Sequence, residues 1–500
     1  PKFYVRVSVD RQYRIYGEGE TLTLKVRCEE DAYLYVLYQQ ADGKIFQIFP
    51  NSGQPDNRIK ARQDIQVPAA DDAFRWVIGP PFGHEVVKVI ASKKPVDALS
   101  LPRLKDDHFN PVTQEHVDGA GKQLAKELPN VWSEHDLAIQ TVRKGEPTTP
   151  PEAHKRFGVF FGVSKYEFND VKERISEGKA KWNLNFAHKD AVDMKQALEE
   201  VGRLAGLRLY QNEEATRKQM KSAITEWLPS VSRPGDTVFI FFSGHGTQIP
   251  DDGSEEKDGK DEVLMTTDAL DFRVFNEMFK LDKDGKLPPG WARCYNEQKP
   301  GALDVWRRTY QESGGAGAEP ESIMKACEQT EGFLLRATAV DDDEMGHWVQ
   351  KLDGRRVVVI VDACMSGGLT PSGGTPDKGL KGGGRPRAAE FDFLTSGFAR
   401  LKDLDQPSLS VLTACGEEEM SVESSKLENG LFTSALKVLL KESPGPVDLR
   451  QAKDYCKARI TETLDRINDD RRREKKELFP PFEPHLFTTD ARPVYLKPAP

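Results

Sequence analysis

Hydrophobic and polar positions alternate along the first hundred residues of the chain. Apolar side chains occupy every second position in Phe3–Val9, Leu22–Val26 and Tyr33–Leu37. A period of two is typical of strands that bury one face. Turn sequences such as Ala41-Asp42-Gly43 separate these stretches. The pattern predicts a small antiparallel all-β sandwich domain over residues 1–100.

After Arg156 the alternation gives way to short, continuously apolar stretches separated by amphipathic ones. The apolar stretches predict strands at Phe157–Val163, Leu207–Tyr210, Thr237–Phe242, Arg356–Val361 and Ser408–Thr413. The amphipathic stretches predict helices at Ala187–Ala205, Ala215–Leu228, Asp341–Leu352, Leu431–Lys441 and Asp448–Ile467. Strands that are apolar on both faces occur in largely parallel sheets flanked by helices. We therefore expect residues 156–500 to form an α/β domain of this kind.

Three stretches interrupt these patterns. Residues 101–155 mix proline, charged residues and one helical stretch, which is typical of a linker between domains. Residues 270–335 have poor periodicity and are predicted to be an insertion in the α/β domain. Residues 369–390 are rich in Gly, Pro, Lys and Arg, which predicts a flexible linker.

Composition and charge exclude several classes of protein. The chain is 38% hydrophobic and carries a formal net charge of −9, so it has the residues for globular cores but not the positive charge of a nucleic-acid-binding protein. No stretch approaches the roughly 20 apolar residues of a membrane-spanning helix. The six cysteines lack the paired spacing of a zinc site or disulfide framework. A reducing, cytoplasmic location is expected, although the chain begins at Pro1 rather than Met, which leaves room for a preceding targeting segment.

Two of the predicted strands run into residues that are unusual for a packed core. One is followed by Ser243-Gly244-His245-Gly246 and the other by Asp362-Ala363-Cys364. If the strands are neighbours in a parallel sheet, His245 and Cys364 meet at its carboxyl edge. A histidine that raises the thiolate fraction of a cysteine and later protonates the leaving amine supports nucleophilic catalysis. The backbone N–H groups of Gly246 and Cys364 are the expected donors to the developing oxyanion.

Together these motifs resemble those of the caspase-like cysteine peptidases (peptidase C14), and within them the prokaryotic metacaspase-like members. The acidic run Asp258–Asp268 follows the histidine motif, and Asn429–Leu436 matches the segment after the last core strand. Met365 stands where the family usually has histidine, but that position is not the general base. The resemblance covers about residues 156–490. It implies an α/β caspase-like sandwich, a largely parallel sheet flanked by helices, and a cysteine endopeptidase whose partners are protein substrates.

The first hundred residues resemble a different family, the β-rich DUF4384 domain found in bacteria beside proteases and kinases. The resemblance rests on several short motifs, among them Tyr33-Leu34-Tyr35-Val36, Phe49-Pro50-Asn51 and Pro80-Pro81-Phe82-Gly83. A binding or regulatory role and a purely structural role are both open for this domain.

The metacaspase resemblance also implies which residues line the pocket for the substrate residue before the cut. They are Asp190, Ser243 and Asp362. Two carboxylates in a partly buried pocket favour a guanidinium or ammonium group through charge-assisted hydrogen bonds. Caspases that cut after aspartate use arginine in this pocket, and none of these three positions is basic. Cleavage after Arg or Lys is therefore expected.

The basic linker after Cys364 corresponds to the region where activation cleavage falls in caspase relatives. The candidate cleavage sites are Lys378, Lys381 and Arg387, since Arg385 precedes a proline. The resemblance thus implies a zymogen, an upstream activating protease and a role in bacterial cell death or antiviral defence. A solvated basic loop without function is the alternative.

The Cys–His chemistry requires no cofactor, but the metacaspase resemblance implies Ca²⁺ as an activator. By that analogy Asp261, Asp342 and Asp343 would bind the ion. Oxygen ligands suit Ca²⁺, and the stretch Asp251–Glu262 is strongly acidic. An acidic loop that is merely solvated is the alternative.

Three other interpretations are weighed against the leading one. Cys415 also follows a predicted strand, as in CHAT-type peptidases, but the order of the motifs favours Cys364 and predicts that Cys415 is a packed thiol. A catalytically silent caspase-like scaffold acting through its β domain is disfavoured by the intact His245 and Cys364. A metal-dependent hydrolase that uses the acidic stretch lacks the histidine ligands usual in such sites.

Overall fold

A computed structural model describes residues 3–11, 13–72, 74–100, 109–124, 131–148, 154–176, 182–250, 260–270, 272–287, 333–364, 408–416, 419, 421–490 and 493–499. Within these ranges the chain forms an all-β part followed by an α/β part. Every helix in the described ranges is too short or too polar to cross a membrane.

The all-β part is a sandwich, as its alternating pattern predicted. Its elements are β1 (Val5–Val9), β2 (Ile15–Gly17), β3 (Thr21–Leu22), β4 (Leu24–Cys28), β5 (Ala32–Gln39), β6 (Ile45–Phe49), β7 (Arg58–Ile59), β8 (Asp64–Val67), β9 (Trp76–Val77), β10 (His84–Ser92), β11 (Asn110–Val112), α1 (Gln114–Leu124) and β12 (Trp132–Val142). One sheet has the order β1-β4-β8 and a larger one the order β11-β6-β5-β10-β12-β2, with β7 beside β5. Side chains from both sheets, such as Val5, Val26, Val36 and Val89, share one buried cluster.

The predicted linker at residues 101–155 is wrong in part, because this range contributes two strands to the larger sheet. β12 pairs along its length with β10, from Trp132 opposite Ser92 to Gln140 opposite His84. The alternation is present in β12, but its buried positions include the polar residues Ser133, His135 and Thr141. A hydrophobic pattern therefore could not reveal this strand.

The α/β part contains the remaining elements. They are β13 (Arg156–Gly162), α2 (Asn169–Ile175), α3 (Ala187–Gly202), β14 (Gly206–Gln211), α4 (Arg217–Ser222), α5 (Leu228–Val231), β15 (Thr237–Pro250), β16 (Lys260–Leu264), α6 (Phe272–Lys283), α7 (Phe333–Thr338), β17 (Val340–Asp341), α8 (Asp342–Gln350), β18 (Arg356–Cys364), β19 (Leu409–Thr413), β20 (Glu423–Ser424), β21 (Asn429–Gly430), α9 (Leu431–Glu442), β22 (Val447–Asp448), α10 (Leu449–Arg473), β23 (His485–Thr488) and β24 (Tyr495–Lys497).

The α/β part is built on a sheet with the order β14-β13-β15-β18-β19-β23. Neighbouring strands are parallel except for the edge pair β19 and β23. Both faces of the sheet are buried: Val159 and Phe161 pack with helices α4 to α8, whereas Phe160 packs with α3, α9 and α10. This explains the continuously apolar strands in the sequence, and the predicted helix-flanked, largely parallel sheet is confirmed.

Several elements have bounds that differ from the prediction, and two of these differences affect the site or the regularity of a helix. β15 continues past Phe242 to Pro250, so the motif around His245 lies on extended backbone. The predicted helix Ala215–Leu228 consists of α4, a π-helical turn and α5. Pro229, at the start of α5, has no N–H to donate to the preceding turn, which accounts for the irregular ladder.

The N-terminal strand region reaches into the core of the α/β part. Tyr4 is fully buried in the cluster that covers one face of the sheet, and its hydroxyl donates to the Asp343 carbonyl oxygen at 3.0 Å. A side chain at Gly346 of α8 would collide with the Tyr4 phenol. The two parts therefore share one continuous packed interior at this point.

A buried ion-pair group joins the same two parts. Asp353, in the turn after α8, accepts hydrogen bonds from Arg6 at 3.0 Å and from Arg14. All three side chains are almost completely buried. Burial opposes ionisation of Asp353, but the two guanidinium groups outweigh it and hold its pKa well below the usual range. The carboxylate is therefore ionised and faces two cations.

Replacing Asp353 by alanine leaves Arg6 and Arg14 buried without their anion. We expect this to lower the free energy of unfolding by about 3–5 kcal/mol, measured by chemical denaturation of the full chain. Asp31→Ala, which breaks a pair between exposed side chains with Lys60, is the matched control and should change little. An Asp353→Ala chain as stable as wild type would contradict this account of the junction.

Candidate active site

β15 and β18 lie side by side and are paired in parallel through the motif residues. The pairing runs from Thr237 opposite Arg356 to His245 opposite Cys364. The two residues predicted to meet are thus register partners at the carboxyl edge of the sheet. Beyond His245, β15 pairs instead with β16, beginning at Gly246. Gly246, predicted as an oxyanion donor, therefore lies where the strand changes partner.

The imidazole of His245 has a defined proton position. Its Nε2 atom lies 2.8 Å from the carbonyl oxygen of Trp182. A carbonyl oxygen only accepts hydrogen bonds, so Nε2 carries the ring proton and donates it. In the neutral ring the lone pair is then on Nδ1, which is the atom able to accept a proton.

Although His245 keeps some exposed surface, the protein around its ring is dense enough to affect its charge. Burial lowers the pKa of His245 to about 4, and the Trp182 carbonyl opposes this shift only in part. The imidazole is therefore neutral near pH 7, as a general base must be before it acts.

Tyr166 holds the backbone of His245. The N–H of His245 donates to the Tyr166 hydroxyl at 2.7 Å, and the two rings lie 5.1 Å apart between centroids. A Cβ atom on Gly244 would come within 3.1 Å of that hydroxyl and within 2.9 Å of the Phe242 ring. Glycine before the histidine is therefore required for this close approach.

The three residues predicted to line a specificity pocket are brought together at the same edge. Ser243 and Asp362 are register partners on β15 and β18. The Ser243 hydroxyl donates to Oδ2 of Asp190, in the first turn of α3, at 3.0 Å. The exposed fractions of Asp190, Ser243 and Asp362 are 1%, 2% and 5%.

In the described contacts, the hydrogen-bond donors to both carboxylates are neutral groups. Asp190 accepts from the Asn429 side chain at 2.9 Å and from the Gly430 N–H at 3.0 Å. Asp362 accepts from the N–H and hydroxyl of Thr433 at 3.1 and 2.6 Å. Burial and repulsion by Asp362 raise the pKa of Asp190 well above its usual value, and burial raises the pKa of Asp362. A cation entering this site would balance the two carboxylates.

Gly430 lies between the two carboxylates. A Cβ atom there would be 2.5 Å from Oδ2 of Asp362 and 3.3 Å from Oδ2 of Asp190. Only glycine therefore lets the chain pass this close to both of them. Asn429, next to it, is oriented by Lys437, whose Nζ donates to its side-chain oxygen at 2.6 Å.

The structure places the residues predicted to bind Ca²⁺ on β16 and at the start of α8. Asp261 is paired with Arg336 of α7, while Asp342 and Asp343 lie in the first turn of α8. Burial and the neighbouring carboxylates raise the pKa of Asp342 well above its usual value. Within the described ranges, no group of three or more His, Cys, Asp or Glu side chains is placed to hold a metal ion. No step of the chemistry is therefore assigned to a metal.

Cys415 follows β19 and is buried, as predicted for a packed thiol. Its Sγ lies 3.2 Å from the carbonyl oxygen of Ala363, the residue before Cys364. The thiol is thus enclosed by backbone close to the candidate nucleophile. The predicted cleavage sites Lys378, Lys381 and Arg387, the linker 369–390 and most of the insertion 270–335 lie outside the described residues.

Two family models match separate segments of the chain. Residues 155–287 match the caspase domain model (Peptidase_C14), a segment that includes Asp190, Ser243 and His245 but not Cys364. The chain contains a caspase domain. The family is one of cysteine peptidases. Residues 15–95 match a domain of unknown function, DUF4384, so the resemblance of the β sandwich is also confirmed.

Several metacaspases contain segments similar to parts of this chain. Metacaspase-1 of Plasmodium falciparum (isolate 3D7) is 34% identical over 98 residues, which is 18% of this chain and 16% of that protein. Metacaspase-1 of Ajellomyces capsulatus (strain NAm1 / WU24) is 45% identical over 67 residues, or 12% and 18%. Metacaspase-1 of Coccidioides immitis (strain RS) is 48% identical over 60 residues, or 11% and 12%. The matched segments span less than a fifth of each of these relatives.

Several residues of the site in the caspase domain were missed by reasoning from the sequence. Trp182 contributes a backbone carbonyl, which every residue possesses, so no side-chain pattern distinguishes it. Tyr166 lies in a stretch without regular periodicity. Asn429 and Gly430 belonged to a matching motif, but their contact with Asp190 depends on the folded chain. The one signal in the sequence was Gly244, which precedes His245 and indicates that another group, here Tyr166, approaches the backbone closely.

The proton position on His245 is open to direct measurement. We expect the imidazole ¹⁵N resonances of the Cys364→Ala chain to show the neutral Nε2–H tautomer at pH 7, with protonation only near pH 4. A histidine titrates near pH 6.5 when unperturbed, so this group should destabilise the fold progressively as pH falls from about 6.5 to about 4. His245→Gln assigns the resonances. A charged ring at pH 6, or the Nδ1–H tautomer, would refute the arrangement described here.

Proposed function

We propose that this chain is a cysteine endopeptidase that cleaves proteins after Arg or Lys, with Cys364 as nucleophile and His245 as base. The observation that carries the proposal is the register of β15 with β18, which sets His245 opposite Cys364. The Nε2 hydrogen bond of His245 to Trp182 supports it, since Nδ1 is then the proton acceptor.

In the proposed reaction, Nδ1 of His245 accepts the Cys364 thiol proton and the thiolate attacks the carbonyl carbon of the scissile peptide bond. The imidazolium then gives this proton to the leaving amine, and water releases the acyl group from the enzyme. The backbone N–H groups of Gly246 and Cys364 donate to the oxyanion. The lowered pKa of His245 keeps the base unprotonated at neutral pH until the thiolate forms beside it.

Specificity for Arg or Lys rests on the two buried carboxylates. Asp190 and Asp362 flank Gly430, whose lack of a side chain lets the backbone lie close to both carboxylates. Their described hydrogen-bond donors are neutral, so a substrate guanidinium or ammonium group supplies the positive charge that the pair lacks. An aspartate side chain in the same place would add a third carboxylate to two whose pKa values are already raised.

Activation is proposed to occur by cleavage within residues 369–390. Lys378, Lys381 and Arg387 have the side chains that the carboxylate pair would select. Either a second copy of this enzyme or an upstream protease of the same specificity is therefore able to make the cut. The proposal also retains Ca²⁺ as an activator, which is tested separately by assays with and without the ion.

Purified wild type and Cys364→Ala, assayed on fluorogenic peptides ending in Arg, Lys or Asp, test the proposal. We expect cleavage after Arg and Lys, no cleavage after Asp, and complete loss in Cys364→Ala. Cys415→Ala is the matched control and should retain activity, because its thiol is buried in packed surroundings. The assays are run with and without Ca²⁺, and a denaturing gel follows the linker.

Other outcomes of this assay separate the alternatives. Activity that survives in Cys364→Ala but is lost in Cys415→Ala would show that Cys415 is the nucleophile. If wild type is inactive and its linker is intact, the linker is cut by engineered cleavage between residues 378 and 387. Activity that appears after this cut would identify a zymogen. Continued inactivity after the cut would favour the scaffold and overturn the enzyme proposal.

The carboxylate pair makes a separate prediction about selectivity. Asp362→Asn should lower kcat/KM on Arg peptides roughly tenfold to hundredfold, the effect of losing a hydrogen bond to a charged group. Because the pKa values of both carboxyls are raised, the pair gains negative charge as pH rises, so KM for Arg peptides should fall with increasing pH. Asp190→Asn should weaken this pH dependence. Glu199→Gln, on the same helix but ion-paired with Lys195, is the control, and equal losses in all three variants would contradict the assignment.

A further inference from the structure

The Trp182 carbonyl that fixes the His245 ring belongs to a segment that is not helix or strand. This segment, residues 182–186, precedes α3. A peptide group in such a segment keeps its orientation only if other contacts hold it. Trp182 is 1% exposed, and its indole lies under the ammonium group of Lys172 at 5.2 Å. Packing of the indole alone does not orient the carbonyl.

One side chain receives both N–H groups at the start of this segment. Oδ1 of Asn169, the first residue of α2, accepts from the N–H of Trp182 at 2.9 Å and from the N–H of Asn183 at 3.0 Å. Asn169 is 4% exposed. Its Nδ2 donates to Glu173 at 3.3 Å, which turns the carboxamide so that oxygen, and not nitrogen, faces the two N–H groups.

The same segment also supports the backbone of His245. Oδ1 of Asn183 accepts from the N–H of Tyr166 at 2.8 Å. The Tyr166 hydroxyl in turn accepts from the N–H of His245 at 2.7 Å. The ring of His245 and its backbone are thus held by two routes, through Trp182 and through Tyr166, and both routes lead back to Asn169.

We propose that Asn169 is a positioning residue for the general base, an inference that rests on the proposed function. Asn169 does not touch the reacting atoms. It fixes the two peptide groups that set the direction of the Trp182 carbonyl, and this carbonyl decides which ring nitrogen of His245 carries the proton. Since a backbone carbonyl is not specified by its own side chain, Asn169 gives the sequence a means of specifying its orientation.

Variants of Asn169 in the full chain test this inference. Asn169→Leu fills a similar volume without an acceptor and should lower kcat roughly tenfold to hundredfold with KM unchanged, as misplacement of a catalytic group does. Asn169→Asp keeps an acceptor oxygen for the two N–H groups and should restore most of kcat. The ¹⁵N spectrum of His245, recorded with Cys364→Ala, should change from the Nε2–H tautomer to a mixture in Asn169→Leu and not in Asn169→Asp.

A matched control separates positioning from general stability. Asn51 is fully buried in the β sandwich, and its Oδ1 also accepts two backbone N–H groups, those of Gly53 and Gln54. Asn51→Leu should lower thermal stability and leave kcat and the His245 spectrum unchanged. If Asn169→Leu does not fold, Asn169→Ala replaces it, with the same expected loss of kcat and of the single tautomer.

The outcomes distinguish this inference from the proposed function. Normal kcat and an unchanged tautomer in Asn169→Leu or Asn169→Ala would overturn the role of Asn169 while leaving the peptidase intact. A loss in Asn169→Asp as large as that in Asn169→Leu would also overturn it, because the acceptor would not be the cause. If wild type cleaves no peptide, the proposed function fails, whereas the ¹⁵N spectra still decide whether Asn169 fixes the ring.

Discussion

The parallel register between β15 and β18 is the constraint on which the candidate site depends. The number of residues from Thr237 to His245 in β15 equals the number from Arg356 to Cys364 in β18, so the two residues lie opposite each other. A slip of one residue would separate these two by about 3.3 Å along the strands. Contacts outside the sheet add to this pairing, since Ser243 is bonded to Asp190, Asp362 to Thr433 and His245 to Tyr166.

The two faces of the sheet contribute different parts of the site. Helices α3 and α9 pack on one face of the sheet. Helix α3 carries Asp190, one of the two carboxylates, and α9 carries Thr433, which donates to the other, Asp362. Tyr166 and Trp182, which support His245, belong to the buried cluster of the other face. The residues proposed to recognise the substrate and those proposed to position His245 are therefore supported by separate layers. A change in the packing of one layer can alter the proposed selectivity without moving His245.

The sequence predicted the α/β domain well because its strands are apolar on both faces, a pattern that few other structures produce. It also predicted that His245 and Cys364 meet at the carboxyl edge of the sheet, because chemistry-bearing residues at strand ends are rare. The prediction that Asp190 joins Ser243 and Asp362 came from the metacaspase resemblance. Contacts made by backbone groups were not accessible in this way, as Trp182 shows. Strand β12 was missed because Ser133, His135 and Thr141 occupy its buried positions. The pairing of Asp353 with Arg14 joins residues far apart in the chain, and no local pattern marks it.

The position of Tyr4 has a consequence for how the two folds came to be combined. A domain joined only by a flexible tether can be exchanged for another without repacking its neighbour. Here the phenol of Tyr4 fills part of the interior of the caspase domain. Gly346, which has no side chain, leaves the room that the phenol occupies. Exchange of the β sandwich by recombination would leave that space empty, so the sandwich and the caspase domain are expected to be inherited together and to change together at these two positions.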